Sequence, residues 1–170
     1  ANAFNVGAKL GVRLDDNQRV QLSVSHYNAD QDTRYASDPA VARLPPGSAT
    51  ARPLDGLQLD DQNQIRNTLV NLEYQHQSLW GSKLSTQVYY RDYYTRFTPF
   101  DARAVVTRGN NVDQVMQNSH VLGSRITVDT PLGDAKRTKL LWGLDFNQER
   151  SDMPNDIFDP VAYDASGGRV

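Results

Sequence analysis

Apolar and polar residues alternate one by one along most of the chain. Between Phe4 and Leu14 every even-numbered residue is apolar, and every odd-numbered residue is polar or glycine. A period of two is typical of a β-strand with one apolar and one polar face. The run from Asp15 to Asn17 has turn composition, and the alternation resumes after it. This segment therefore predicts an antiparallel hairpin.

The same pattern recurs twice more, so the chain is predicted to form three hairpins. Their six strands are expected near 3–14, 18–28, 63–77, 83–97, 118–130 and 136–149. One face of a single sheet is predicted to carry the apolar residues Val6, Leu10, Val20, Leu22, Val70, Val88, Ile126, Leu140 and Leu144. Short turns alternate with long polar segments at 29–62, 98–117 and from 149 to the end, and the stretch 151–170 is expected to be loop-like.

This layout favours a transmembrane barrel over a soluble domain. A barrel strand needs about 9–11 residues to cross the membrane, and outer-membrane barrels have short turns at one end and long loops at the other. The predicted fold class is therefore all-β, with antiparallel up-and-down strands from a barrel. Two alternatives remain open: a passive porin-like channel, and a soluble β-sandwich binding module in which the apolar face would be a core.

Composition narrows the possible functions. The chain has 18 Asp but only 2 Glu, and 14 Arg but only 4 Lys, so it is poor in good helix formers. The net charge of −2 gives no electrostatic reason to expect a nucleic-acid partner, and the absence of cysteine excludes a thiolate metal site. No phosphate-binding loop or nucleophile motif is present. We therefore expect neither an enzyme nor a bound metal.

Two groups of residues could in principle supply metal ligands. The three histidines His26, His76 and His120 lie far apart in sequence, without the spacing of a metal site. Oxygen ligands for Ca²⁺ occur in Asp-rich stretches, with the candidates Asp30, Asp32, Asp152, Asp156 and Asp159. Neither aspartate stretch matches an EF-hand loop, and a solvated, turn-rich loop is the preferred interpretation of these residues.

Several local motifs resemble TonB-dependent siderophore receptors. The run from Leu140 to Arg150, with an apolar pair followed by Gly-x-Asp, is similar to a strand common in that family. The stretches 157–160 (Ile-Phe-Asp-Pro) and 14–17 (Leu-Asp-Asp-Asn) are also similar to theirs. The stretch 164–168 (Asp-Ala-Ser-Gly-Gly) faintly resembles ferric aerobactin-type, or hydroxamate–citrate, receptors.

The resemblance implies a location, a ligand and partners. The family has a barrel of 22 strands in the bacterial outer membrane, closed by an N-terminal plug domain that contacts TonB. Such receptors transport a ferric siderophore and need no cofactor of their own. The expected partners are thus a ferric siderophore, outer-membrane lipid, and TonB through the plug region. Residues 1–170 show about six strands and no plug, and are interpreted as a segment of the larger barrel.

Arginine and aromatic residues near the long segments are the candidate ligand-binding set. A ferric hydroxamate–citrate complex carries carboxylate oxygens, which the planar guanidinium of arginine pairs well. Strand alternation places residues 89, 91 and 93 on the polar face, which would line the barrel lumen. Contacts to a plug domain are the alternative role, at least as strongly indicated for Arg91. The candidates are Arg34, Tyr35, Tyr89, Arg91, Tyr93, Arg96 and Phe97.

Two charged residues fall on the apolar face by alternation. If Tyr74 pairs with Leu84 across the third and fourth predicted strands, Arg66 lies directly opposite Asp92. A register shifted by two residues makes the two charges diagonal neighbours instead. In either case an ion pair near the outer rim would reduce the cost of charge facing lipid.

Overall fold

The chain forms a meander of long antiparallel strands. The computed structural model describes residues 2–31, 34–36, 58–60, 62–101, 111–133 and 138–169. The long strands are β1 (Asn2–Arg13), β2 (Gln18–Asp30), β5 (Gln64–Leu79), β6 (Ser82–Arg96), β8 (Val112–Leu132) and β9 (Thr138–Asp152). The short elements are β3 (Arg34–Ala36), β4 (Gln58–Asp60), β7 (Phe100–Asp101), β10 (Asn155–Phe158) and helix α1 (Pro160–Ala165).

The long strands lie side by side in the order in which the chain makes them. The sheet runs β1-β2-β5-β6-β8-β9, and every pairing is antiparallel. Strands β7 and β10 add to the loop end of β8, while β3 and β4 form a separate pair. The predicted all-β, up-and-down architecture is confirmed, and it is the arrangement expected of a barrel segment.

The two faces of the sheet remain distinct across all six long strands. Cross-strand partners join even with even and odd with odd positions, except for the pair that closes one turn. The predicted apolar residues therefore share one face. Leu10 is 67% and Leu144 is 70% exposed. No second sheet buries this face in the described ranges, so the sandwich alternative is not supported.

Side chains on the polar face are partly buried by one another. Asn71 is only 9% and Ser119 only 4% exposed, although both belong to the polar set. Asn71 lies between its direct partners Ser23 and Tyr89. Apart from Gly123 and from Val112 at the loop end of β8, the buried residues of these strands have hydrogen-bonding side chains, whereas the large apolar residues are partly or fully exposed. Apolar surface is stabilised by about 25 cal/mol per Å² when it leaves water, so the exposed face fits an apolar medium.

An aspartate side chain stabilises the turn of the first hairpin. The backbone N–H of Asn17 donates to the Asp15 carboxylate at 2.7 Å, and the N–H of Leu14 donates to the carbonyl of Gln18 at 2.9 Å. This is an Asx turn, in which a short acidic side chain replaces a backbone acceptor. The turn predicted from the Asp-Asp-Asn composition is confirmed.

The hairpin between β5 and β6 turns on two residues. Trp80 and Gly81 have φ angles of 49° and 81°, and positive φ at both central positions belongs to a type I′ turn. This turn pairs Leu79 with Ser82. If that register continued, odd positions of β5 would lie opposite even positions of β6. An irregularity between His76 and Leu79 shifts the register by one residue and restores the match of the two faces.

The resulting register corrects one prediction. Arg66 lies opposite Tyr94, and Asp92 lies opposite Thr68. The direct Arg66–Asp92 pairing is therefore wrong, and the alternative shifted by two residues is right. Both charges still lie on the same face of adjacent strands. The difference arises at the irregular turn, which alternation alone does not encode.

The last segment, which was expected to be loop-like, contains the strand β10 and the helix α1. The Asp159 carboxylate accepts the N–H of Ala162 at 2.9 Å, and Pro160 occupies the first helical position. After the helix, Gly167 has a φ of 75°, and the N–H of Gly168 reaches the carbonyl of Tyr163 at 3.1 Å. These are helix caps. No helix within the described ranges is long and apolar enough to cross a membrane.

Candidate functional site

The polar face carries a cluster near the end of the sheet where the long segments lie. Alternation along β6 places Tyr89, Arg91 and Tyr93 on this face, as predicted. The Arg91 Nε donates to the Asn67 side-chain oxygen at 3.0 Å. The Arg91 guanidinium carbon lies 5.1 Å from the centre of the Tyr93 ring. We call Asn67, Tyr89, Arg91 and Tyr93 the polar-face cluster.

The polar-face cluster orients the Arg91 guanidinium, and no described carboxylate neutralises it. A cation over an aromatic ring and a hydrogen bond at Nε together fix the plane of the guanidinium. Arg91 is exposed, and no carboxylate among the described residues pairs with it. The terminal nitrogens can therefore meet a carboxylate from outside the described chain through two parallel hydrogen bonds.

Two pairs of opposite charges lie nearer the turn end of the same face. Arg125 contacts one oxygen of Asp145 through Nε at 2.8 Å and through Nη2 at 2.5 Å. Lys139 lies 3.2 Å from the Asp129 carboxylate. Both pairs bridge adjacent strands and hold β8 against β9. Arg91 differs from these residues in having neutral neighbours.

The apolar face has its own polar rim at a similar height. The Arg66 guanidinium lies 5.2 Å from the centre of the Tyr94 ring. His120 contacts Asp92 at 3.0 Å and stacks on Tyr90, with ring centres 6.5 Å apart. This rim accounts for both charges that alternation placed on the apolar side. The role of His120 was missed, because its contact to Asp92 depends on the pairing of β6 with β8.

The other candidate residues do not join the cluster. Arg96 has the parity of the apolar face and donates from Nε to the carbonyl of Gln62 at 3.1 Å. Phe97 follows β6 and is 46% exposed, and its N–H donates to the carbonyl of Val115. Arg34 and Tyr35 belong to the separate β3–β4 pair. The structure thus brings two of the seven candidates, Arg91 and Tyr93, into contact, and Tyr89 shares their strand and face.

A small apolar nucleus joins the long segments beyond the sheet. Val112 is fully buried and Tyr163 is 2% exposed, and Phe158 packs against them. The Gln62 amide donates to the carbonyl of Gly168 at 2.8 Å. Segments far apart in sequence therefore meet above the end of the sheet. Sequence alternation gave no sign of this nucleus. Phe158 and Tyr163 lie in short elements, and Val112 begins β8 within the stretch 98–117 that was predicted to be a long polar segment.

The described aspartates do not form a metal site. Within the described ranges, no three His, Cys, Asp or Glu side chains lie close enough together to hold a metal ion. Asp159, one of the calcium candidates, caps α1 instead. Asp32 lies outside the described residues.

Comparison with known proteins identifies what the chain resembles. No protein-family model and no solved structure matches it. The ferric aerobactin receptor of Klebsiella pneumoniae is 27% identical over 92% of the chain, and that of Escherichia coli is 27% identical over 92%. The rhizobactin receptor of Rhizobium meliloti (strain 1021) is 28% identical over 99%. The chain is similar to siderophore receptors.

This similarity confirms the resemblance predicted from the strand and loop motifs. It extends over most of the chain rather than over a single motif. The chain spans about a fifth of the length of these relatives, between 21% and 23%.

Proposed function

We propose that this chain is a barrel segment of an outer-membrane receptor that binds a ferric siderophore and takes part in its TonB-dependent uptake. The relatives named as ferric aerobactin and rhizobactin receptors support the ligand class. The exposed apolar face supports contact with outer-membrane lipid. In this proposal a plug domain elsewhere in the receptor contacts TonB, and the barrel is larger than six strands.

The observation that carries the ligand assignment is the environment of Arg91. Its guanidinium is oriented by Asn67 and Tyr93, is exposed, and meets no described carboxylate. A ferric siderophore of the hydroxamate–citrate type presents carboxylate oxygens, which fit a guanidinium through paired charge-assisted hydrogen bonds. We assign Arg91 to the ligand carboxylate and Tyr93 to the adjacent ligand surface. Arg34, Tyr35, Arg96 and Phe97 remain candidates nearer the loops.

The mechanism proposed is binding followed by gated passage, without a chemical step. The polar face supplies hydrogen bonds along the lumen, with two ion pairs toward the turn end and the exposed Arg91 at the loop end. A ligand that enters from the loop side would meet Arg91 before the neutralised pairs. Transport itself would require motion of the plug, powered through TonB.

The test uses the full-length receptor that contains this chain, purified in detergent. Ferric aerobactin is titrated into wild type and into Tyr93→Ala and Tyr94→Ala variants, with binding measured by calorimetry. We expect saturable binding that is weakened by Tyr93→Ala and unchanged by Tyr94→Ala, whose side chain lies on the other face. A wild-type receptor that does not bind any ferric carboxylate siderophore would contradict the proposal.

Energy dependence separates the receptor from a passive porin-like channel. Cells that express the receptor are supplied with radioactive iron as the ferric siderophore, with and without dissipation of the proton gradient. We expect uptake to stop when the gradient is lost or TonB is absent. Uptake that continues unchanged would indicate a passive channel and would leave only the barrel part of the proposal standing.

A further inference from the structure

Tyr89 and Gly123 face each other across β6 and β8, on the polar side. A Cβ atom added at Gly123 would lie 2.2 Å from Cζ, 2.4 Å from Oη and 2.6 Å from Cε1 of Tyr89. The edge of the phenol therefore occupies the space that any other residue at position 123 would fill. Gly123 is buried and Tyr89 is half-buried, as this packing requires.

Neighbouring side chains of β6 lean in opposite directions. Arg91 reaches toward Asn67 on β5, whereas the Tyr89 ring lies over β8. On β8, the residue opposite Arg91 is Val121, and the next one on this face toward the loop end is Ser119. On this side of Arg91, β8 thus presents small side chains, and the Ser119 hydroxyl donates to the Glu149 carboxylate on β9. This surface is bounded below by the Tyr89 ring.

We propose that Gly123 is a positioning residue that holds the Tyr89 ring down and keeps the space above Val121 open for the ligand that Arg91 binds. This inference rests on the proposed function. A larger residue at position 123 pushes the ring off β8 and into that space. Gly123 would then set the shape of the binding surface without touching the ligand itself.

The nature of the collision predicts that the fold survives the substitution. The atoms that a Cβ at position 123 would meet belong to the free end of a tyrosine side chain, which can rotate away. At Gly143, in contrast, a Cβ would lie 2.1 Å from the backbone oxygen of Ile126. Backbone cannot move aside so easily. Gly123→Ala is therefore expected to change the binding surface rather than the sheet.

The first measurement needs no ligand. Val121→Cys is introduced into the full-length receptor, and its rate of reaction with a water-soluble maleimide is compared with and without Gly123→Ala. We expect Gly123→Ala to slow labelling about fivefold, and Tyr89→Ala in the same protein to restore the rate. Unchanged labelling, or slowing that persists without the Tyr89 ring, would overturn the inference.

The second measurement is the affinity for ferric aerobactin. Gly123→Ala is expected to weaken binding about tenfold in the wild-type background and less than twofold in a Tyr89→Ala background. Gly7→Ala is the control, because its Cβ would meet no atom closer than 3.5 Å. Equal losses in both backgrounds, or no loss, would contradict the inference. If wild type itself fails to bind, the proposed function fails, and the labelling rates still decide whether Gly123 positions the ring.

Discussion

Two arginine–tyrosine pairs lie back to back on the same hairpin, one on each face. Arg91 lies 5.1 Å from the ring centre of Tyr93 on the polar face, and Arg66 lies 5.2 Å from that of Tyr94 on the apolar face. The local geometry is nearly the same. The surroundings differ, because one pair faces the predicted lumen and the other the predicted membrane rim. In the proposed receptor, similar contacts serve ligand binding on one face and membrane insertion on the other.

The largest expected effect is the loss of ligand affinity on the polar face. Arg91→Ala removes the guanidinium that we assign to the ligand carboxylate. A hydrogen bond to a charged group contributes about 1.5–3 kcal/mol, so affinity should fall roughly 10- to 150-fold. Binding of ferric aerobactin to the purified receptor checks this value.

Arg66→Ala is the control for that experiment, because it removes the same kind of contact from the opposite face. Its affinity should remain within about twofold of wild type. If both substitutions weaken binding equally, the assignment of ligand binding to the polar-face pair alone is contradicted.

A second substitution separates damage to the whole sheet from effects on one face. In Gly143→Ala the new Cβ would lie 2.1 Å from the Ile126 backbone oxygen, and β8 and β9 would have to move apart. Overpacking of this kind costs about 1–3 kcal/mol. Urea unfolding of the receptor in lipid bilayers should show this loss. A stability equal to wild type would mean that the close approach of these strands is not maintained.

The rim pair should contribute to stability but not to binding. Tyr94→Leu keeps an apolar side chain but removes the ring beneath Arg66. The loss of a cation–π contact is expected to reduce the free energy of unfolding by about 0.5–1 kcal/mol. Unfolding in bilayers measures this term, and ligand titration of the same variant should give the wild-type affinity. A large loss of affinity would place Tyr94 on the ligand side.

The smallest effect concerns a group outside both pairs, at the opposite end of the strands. The hydrogen bond from the Asn17 backbone N–H lowers the pKa of the Asp15 carboxyl below its ordinary value. Because the pKa is lowered by folding, the ionised carboxyl stabilises the turn at pH values above the ordinary pKa, which is about 3.9. This contribution to stability is lost as the pH falls through the lowered pKa. Wild type should thus lose stability relative to Asp15→Asn below about pH 4. Parallel urea midpoints for the two proteins would argue against the turn.

The strands and their faces could be predicted from sequence because alternation is a local property. The face on which Leu10 or Val88 lies follows from the alternation within its own strand, without knowledge of the neighbouring strand. The register of β5 against β6 could not be predicted, because the irregularity between His76 and Leu79 leaves no mark on the alternation. Helix α1 is only six residues long and has no repeating apolar pattern. Its capping residues, Asp159 and Gly167, lie in two of the stretches that resemble siderophore receptors, and they were not predicted to end a helix.

The candidate site was predictable to the same extent as the strands. Parity placed Tyr89, Arg91 and Tyr93 together because they share one strand. Asn67 was missed as the partner of Arg91, since that contact depends on the register between two strands. Gly123 was missed for the same reason. Cross-strand contacts become predictable only after the pairing is known.

The central claim is that odd and even positions of β6 face water and lipid respectively. The chain contains no cysteine, which makes it suited to single-cysteine labelling. Spin labels are placed one at a time at Gln87, Val88, Tyr89, Tyr90, Arg91 and Asp92 of the receptor in bilayers, and collision with oxygen and with a water-soluble nickel chelate is recorded. We predict a period of two, with oxygen favoured at even positions and the chelate at odd ones. The opposite phase, or no alternation, would contradict the assignment of the two faces.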